Sequence, residues 1–280
     1  MRIVDTTLRD GEQKAGIALK PEEKIQIAQM LDKLGIFQIE AGTPAMGGDE
    51  KKSIVQIACL DLKSKISVWN RMSISDIQHS IDCRPDIIHI SVPSSDIQIK
   101  SKLGKDRNWI IENLKRCIYY AKVRGFEITI GLEDASRADF RFLMQLIGTA
   151  FLEGVDRIRY ADTVGILYMG KIYEEITEIR LQLDIDIEFH GHNDLGMAVA
   201  NSISAAKAGA CYVDCTMGGI GERAGNCNFI QFIKAAAGTL GIHDLVSLDL
   251  EEIIAVEKDI LTLIFQDAPN ELSHRVYKKC

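Results

Sequence analysis

"DIDIEFHGHND", residues 184–194, carries two kinds of chemistry on one short run. Its even positions are Asp184, Asp186, Glu188, His190 and His192, while Ile185, Ile187 and Phe189 take the odd ones. Successive side chains of a strand point to opposite faces. One face of this strand is therefore apolar and the other ionisable. Apolar residues turned toward helices, and polar ones turned toward the mouth of a barrel, produce that alternation. The two histidines share a face and can converge on one point, and a glycine between them lets the backbone come close to whatever they hold. Taken alone, the H-x-H pair is equally a polar strand end satisfied by hydrogen bonds.

The rest of the chain repeats the pattern. Strand-like runs occur at 2–8, 36–42, 65–70, 87–92, 126–132, 156–162, 184–190 and 212–217, with helical stretches between them. In "PEEKIQIAQMLDKLG", Pro21 suits a first helical turn and Gly35 the position after the last. Ile25, Ala28, Leu31 and Leu34 are its expected apolar stripe. Eight strand–helix repeats in about 240 residues match the count and length of a (β/α)8, or TIM, barrel of the α/β class. The competing arrangement is a doubly wound open sheet. Two features argue against it: no G-x-G-x-x-G follows the first strand, and polar residues recur along one face of several strands. The expected organisation is a catalytic barrel over 1–242, followed by a C-terminal helix and tail over 243–280.

Composition narrows the function. The 280 residues are 46% hydrophobic and 26% charged, values that fit one large globular domain. A formal charge of −7 with no concentrated basic face argues against nucleic acid as a partner. No apolar run approaches the roughly 20 residues that span a bilayer, and the N-terminus has no signal-peptide core. Seven cysteines without a CxxC pair fit reduced thiols in a cytoplasm. No membrane partner is expected.

Barrels keep their chemistry at the C-terminal ends of the strands. On this chain those ends carry Arg9, Asp10, Glu12 and Gln13 after strand 1, and Glu133 and Asp134 after strand 5. Asp162 and Thr163 end strand 6, His190 and His192 end strand 7, and the loop "GGIGERAGN" (218–226) follows strand 8. Two neutral imidazoles and one carboxylate form a common facial set for a divalent ion. Only strand 8 separates strands 1 and 7 around a closed barrel, so Asp10 can reach the same ion as His190 and His192. Asn226 can add an oxygen or orient a water. Arg9, beside the carboxylate, is placed to neutralise charge developing on a substrate oxygen. A metal that polarises a carbonyl suits enolate or aldol-type carbon–carbon chemistry; hydrolysis would use the same parts.

"DTTLRDGEQ" (5–13), "HGHND" (190–194) and "GGIGERAGN" resemble the three signatures of the DRE-TIM metallolyases. That family includes the isopropylmalate, citramalate and homocitrate synthases and, more distantly, the hydroxymethylglutaryl-CoA lyases. "EAGTPAMG" (40–47), "SVPSSDIQIKSKLGKDR" (91–107), "EDASRAD" (133–139) and "ADTVG" (161–165) look most like the homocitrate synthase branch that serves nitrogen fixation. The resemblance spans roughly residues 1–242. It implies an acyltransferase that condenses acetyl-CoA with a 2-oxo acid, 2-oxoglutarate in this branch, to give (R)-homocitrate and CoA. The implied cofactor is a divalent ion, Mg2+, Mn2+ or Zn2+. Asp10, His190 and His192 match its ligands, and Asn226 completes that neighbourhood. Arg9 matches the arginine on the carbonyl oxygen, Glu133 the glutamate near the acetyl group, and Thr163 a contact to the oxo-acid carboxylate.

Three positions keep more than one reading. Arg159 lies on the same strand face as Thr163, so the two could clamp a carboxylate; it could equally pair inside the barrel with Glu133 or Glu188. His89 and Arg71 could read the distal carboxylate, or be satisfied polar groups. Glu222 could be a base, or a partner of Arg223.

The chain departs from the family after the amphipathic run "LEEIIAVEKDILTLIF" (250–265). Family members continue into a lid that brings a histidine and a tyrosine to the site, typically that of a neighbouring subunit. Here the sequence runs on as "QDAPNELSHRVYKKC", and the surroundings of His274 and Tyr277 do not match. The expectation is one subunit of a split, oligomeric enzyme whose separate partner carries the lid. A lyase or aldolase working without a lid, another 2-oxo acid synthase, and a catalytically incomplete binding subunit are the alternatives.

Overall fold

A computed structural model describes residues 1–266, and eight parallel strands close on themselves in chain order. The strands are β1 (Arg2–Asp5), β2 (Gln38–Glu40), β3 (Lys65–Arg71), β4 (Ile87–Pro93), β5 (Glu127–Glu133), β6 (Arg157–Asp162), β7 (Asp186–Gly191) and β8 (Tyr212–Cys215). Closure is made by β8 on β1, with Arg2 opposite Tyr212 and Asp5 opposite Cys215. The barrel is the expected one, and the open sheet is excluded.

Eight helices form the outer ring: α1 (Pro21–Leu34), α2 (Gly48–Ala58), α3 (Ile74–Cys83), α4 (Arg107–Lys122), α5 (Phe140–Leu152), α6 (Met169–Gln182), α7 (Ala198–Lys207) and α8 (Phe229–Leu240). Their termini follow local chemistry. Asp106, Asp139 and Asn228 cap the first turns of α4, α5 and α8 by accepting backbone N–H bonds. Gly35 ends α1 at φ +82°, which only glycine adopts without strain. Along α1 the buried face is Lys24, Ile27, Ala28, Leu31 and Leu34; Ile25 sits at its edge, and the long stem of Lys24 takes the place expected for an aliphatic residue. Short helical turns at Gly11–Gln13, Pro44–Met46, Ile99–Leu103, Ala135–Arg137 and Met217–Gly219 all lie in loops that leave the C-terminal strand ends.

The core is a shell rather than a centre. Ile130, Ile158, Ile187 and Phe189 face α4, α5 and α6 in one aliphatic cluster, and Ile3, Ile39, Val213 and Leu31 belong to a second. A ninth helix, α9 (Leu250–Phe265), joins the second cluster through Ile253, Ile260, Leu261, Ile264 and Phe265. Leu250 and Ile254, apolar residues of the same run, are exposed. Glu257 of α9 accepts the Gly218 N–H at 2.7 Å, which fixes the strand-8 loop from outside. His274 and Tyr277 lie outside the described residues. No helix among the described residues is long and apolar enough to cross a membrane.

Candidate metal and substrate site

The alternation of residues 184–192 places Glu188, His190 and His192 inside the barrel and Ile187 and Phe189 outside it. Gly191 also has a cause on the outer face. A Cβ there would meet the Phe189 ring at 2.9–3.1 Å, so the glycine makes room for packing on the outer face.

Asp10, in the short turn after β1, projects one carboxylate oxygen toward both imidazoles. Asp10 Oδ2 lies 3.2 Å from His190 Nε2 and 3.7 Å from His192 Nε2, and the two Nε2 atoms are 3.4 Å apart. Ligands about 2.1 Å from one ion, at angles between octahedral and tetrahedral, stand roughly 3.0–3.4 Å from each other. Two of the three separations fall in that range and the third, Asp10 to His192, is about 0.3 Å wider; the three are all buried and grouped as a metal site would need. Asn226 donates from Nδ2 to Asp10 Oδ1 at 3.2 Å and to the Ile220 carbonyl at 3.0 Å. Its Oδ1 is buried without a hydrogen-bond partner, which is the atom an ion or a metal-bound water would take up.

Electrostatics match a cation. Burial by itself would raise the Asp10 carboxyl, but Arg9 and the two histidines outweigh it and hold it well below the usual carboxylate range. Burial opposes charge on His190, yet its bonds to Asp10 and Asp214 raise it to about 9. His192 is pushed down to about 4 by burial and then by the positive field of His190. His190 is therefore the protonated imidazole of the pair and His192 the neutral one.

Arg9 donates from Nε to Glu40 at 2.5 Å and from Nη1 to Asp10 at 2.9 Å. Those bonds engage two of its five donors. Burial disfavours its charge, but Glu40 and Asp10 more than restore it, so the guanidinium stays ionised.

Glu133 and Thr163 meet at the ends of β5 and β6. The Thr163 hydroxyl donates to Glu133 at 3.1 Å and accepts from the Asp134 N–H at 2.9 Å. Arg223 ties this corner to the histidine loop: it donates to Asp194 at 2.8 and 3.0 Å and to the Thr163 carbonyl at 2.7 Å. Glu222 accepts from Arg223 at 3.1 Å, as the ion-pair reading expected. Arg71 turns outward to Asp76.

Arg159 does not reach the mouth. It is 2% exposed and bonded to Glu188, to Glu40 at 2.8 Å and to Asp214 at 3.0 Å. Of the two carboxylates named for it, it pairs with Glu188; beside Thr163 it forms no clamp in this structure. His89 lies deep in the barrel with its ring against Gly131, whose missing Cβ leaves the space. Burial and the Arg159 charge hold His89 neutral, and its Nδ1 has no partner. Reading the sequence missed Glu40 and Asp214. Both are inward-facing acids, and the same alternation that exposed Glu188 was available in "FQIEAG" and "YVDCTM".

A family model described as HMGL-like matches residues 1–260. The chain is 55% identical over 264 residues to the homocitrate synthase subunit alpha of Clostridium pasteurianum, covering 94% of this chain and 98% of that one. It is 42% identical to homocitrate synthase 1 of a Nostoc species, across 90% of this chain and 68% of the relative. To 2-isopropylmalate synthase 2 of Caldanaerobacter subterraneus it is 48% identical, over 83% of this chain but only 61% of that longer protein. The hydroxymethylglutaryl-CoA lyase of Pseudomonas aeruginosa has the same fold, with a TM-score of 0.83 at 16% identity over all of this chain and 98% of the other. With its barrel, its buried Asp–His–His set and these matches, the chain is a member of the HMGL-like family.

Proposed function

We propose that this chain is the barrel subunit of a homocitrate synthase, condensing acetyl-CoA with 2-oxoglutarate to give (R)-homocitrate and CoA. The observation that carries the reading is the convergence of Asp10, His190 and His192 beside the Arg9 guanidinium at the barrel mouth. Similarity to a relative named as an alpha subunit, over 98% of that relative's length, supports one subunit of a larger enzyme. Such an enzyme would serve assembly of a nitrogenase cofactor.

Asp10, His190 and His192 would hold a divalent ion, with Asn226 Oδ1 turned to the same place. When bound there, the ion supplies Lewis-acid polarisation of the oxo-acid carbonyl. Arg9 stays charged against that carbonyl oxygen and stabilises the negative charge that builds on it. Glu133 would accept a proton from the acetyl methyl. The methyl carbon then bonds to C2 of the oxo acid as the C2=O π pair moves onto oxygen, which takes up a proton to become the product hydroxyl. Water hydrolyses the thioester, and the CoA thiol leaves. Thr163, freed from Glu133, would donate to the C1 carboxylate of the oxo acid, and His89 would be the interior group offered to the distal carboxylate. Arg159 contributes by neutralising the barrel acids that fix Arg9 and His190. A partner subunit would close the mouth and exclude water.

Thiol release from acetyl-CoA tests the reading directly. With a divalent ion, 2-oxoglutarate and the partner subunit present, CoA thiol and homocitrate should appear in equal amounts; the chain alone should release little thiol. Release of pyruvate or acetoacetate from a cleavable acid, with no thiol released from acetyl-CoA, would make the protein a lyase instead. Full turnover by the purified chain alone would remove the need for a partner.

A further inference from the structure

Six ionisable side chains close a ring inside the barrel. Asp10 meets Arg9 at 2.9 Å, Arg9 meets Glu40 at 2.5 Å, and Glu40 meets Arg159 at 2.8 Å. Arg159 meets Asp214 at 3.0 Å, Asp214 meets His190 Nδ1 at 3.0 Å, and His190 Nε2 returns to Asp10 at 3.2 Å. Acids and bases alternate around the whole circuit. Asp214 is the member with no role so far, and its geometry is specific. A single oxygen, Oδ2, lies 3.0 Å from both the ion-paired Arg159 Nε and His190 Nδ1, while Oδ1 is buried without a partner. Asp214 is itself 2% exposed, on β8 directly below the ligand loop.

We infer that Asp214 is a positioning residue for the metal site: it accepts the Nδ1 proton of His190 and so turns the Nε2 lone pair toward the ion. A neutral imidazole carries its proton on one nitrogen only, and whichever nitrogen is hydrogen-bonded to an acceptor keeps it. A carboxylate behind a ligating histidine also fixes the ring plane and raises the basicity of the coordinating nitrogen. Arg159 holds Asp214 in place and, through Glu40, holds Arg9. The ligand and the electrophilic arginine are thereby set by one buried framework. His192 makes the contrast, because its Nδ1 is buried with no partner at all. His190 is the anchored ligand and His192 the adaptable one. The inference rests on the reading of Asp10, His190 and His192 as metal ligands.

The Oδ2 geometry gives the test its resolution. Asp214→Asn can keep an amide oxygen at the shared position and lose only the charge; Asp214→Leu has similar volume and no acceptor. Titration with Mn2+ alone should show affinity reduced 10- to 100-fold in Asp214→Leu and reduced only a few-fold in Asp214→Asn. Equal losses in the two variants would mean that Asp214 matters only as a countercharge to Arg159, and unchanged affinity in both would mean that it does not act on the site. Either result overturns the proposal. Ring 15N shifts of His190 in the zinc-loaded parent provide a second readout that needs no variant to fold. They should report a protonated Nδ1, and a proton on Nε2 would also overturn it. Failure of the parent to bind any divalent ion would sink the metal reading itself. In that case the Asp214 inference is judged on the metal-free protein, where loss of Asp214 should expose His190 Nδ1–H to solvent exchange and unchanged exchange would refute it.

Discussion

Phe189 and His190 are neighbours in sequence and belong to opposite worlds. Phe189 points outward into an aliphatic layer and lies over Tyr160, ring centroids 6.3 Å apart. His190 points inward to Asp10 and Asp214 in a barrel whose interior also holds Glu40, Glu188, Arg157 and Arg159. The shell is where burial stabilises the fold, because each apolar side chain there leaves water without leaving a hydrogen-bond partner behind. Inside, every charge has lost its hydration, and the ion pairs offset that loss rather than adding a surplus. The difference teaches a division of labour: the shell determines whether the barrel exists, and the interior determines what it holds.

Arg9 should show the largest effect. Arg9→Lys keeps the charge but loses the planar fork that spans Glu40 and Asp10. Turnover by the complete enzyme should fall by about 10²–10³-fold, with metal content and thermal stability close to the parent's. Unimpaired turnover would move the electrophilic role to another residue.

Next in size is the pair at 189 and 190, which tests the comparison at a single peptide bond. Phe189→Ala should cost about 3–5 kcal/mol of stability while the folded fraction still binds a divalent ion. His190→Ala should cost less, on the order of 1–3 kcal/mol for stranding its carboxylate partners, and should abolish tight ion binding. Urea unfolding and metal analysis of the two purified variants read both quantities. Equal metal loss in both would mean that the shell and the site are not separable.

How much of this was legible in the chain depends on the distance over which each fact is determined. The barrel was legible because the strand–helix period is local, and residues 184–192 alone show an apolar face and an ionisable face. Asp10, His190 and His192 were legible because barrel closure puts strands 1, 8 and 7 side by side. Partner choice was not. Arg159 could face Glu133 or Glu188 by strand order, and only the packed interior shows that it joins Glu188 to Glu40 and Asp214. The partner of Glu40 was hidden for the same reason, since Glu40 sits on β2, yet Arg159 reaches it across the barrel from β6. The packing reason for Gly191 was not legible, because it lies on the opposite face from the histidines that flank it.

The smallest effect expected lies where the interior and the shell meet, at Asp5. This carboxylate is fully buried at the end of β1, accepting from the Thr7 N–H at 2.9 Å and the Thr7 hydroxyl at 3.0 Å. The charged groups facing it are acids, Asp214 on β8 and Glu257 on α9. Burial first, and those acids further, raise it to about 7 against bonds from Thr7 that lower it. A group raised in the fold binds its proton more tightly there than in the unfolded chain. It therefore contributes stability that is complete below pH about 4 and is lost as pH rises through about 7. Asp5→Asn keeps the shape and cannot ionise. Its stability relative to the parent should grow between pH 5 and pH 8, by on the order of 1–2 kcal/mol, measured by urea unfolding at each pH. The change reports on Asp5 together with the acids coupled to it, because titrating groups that do not interact with Asp5 are common to both proteins and cancel. Parallel stability curves across that range would show that Asp5 stays ionised throughout. The neighbouring acids would then be too weak, or too well screened, to make this strand end a proton-binding site.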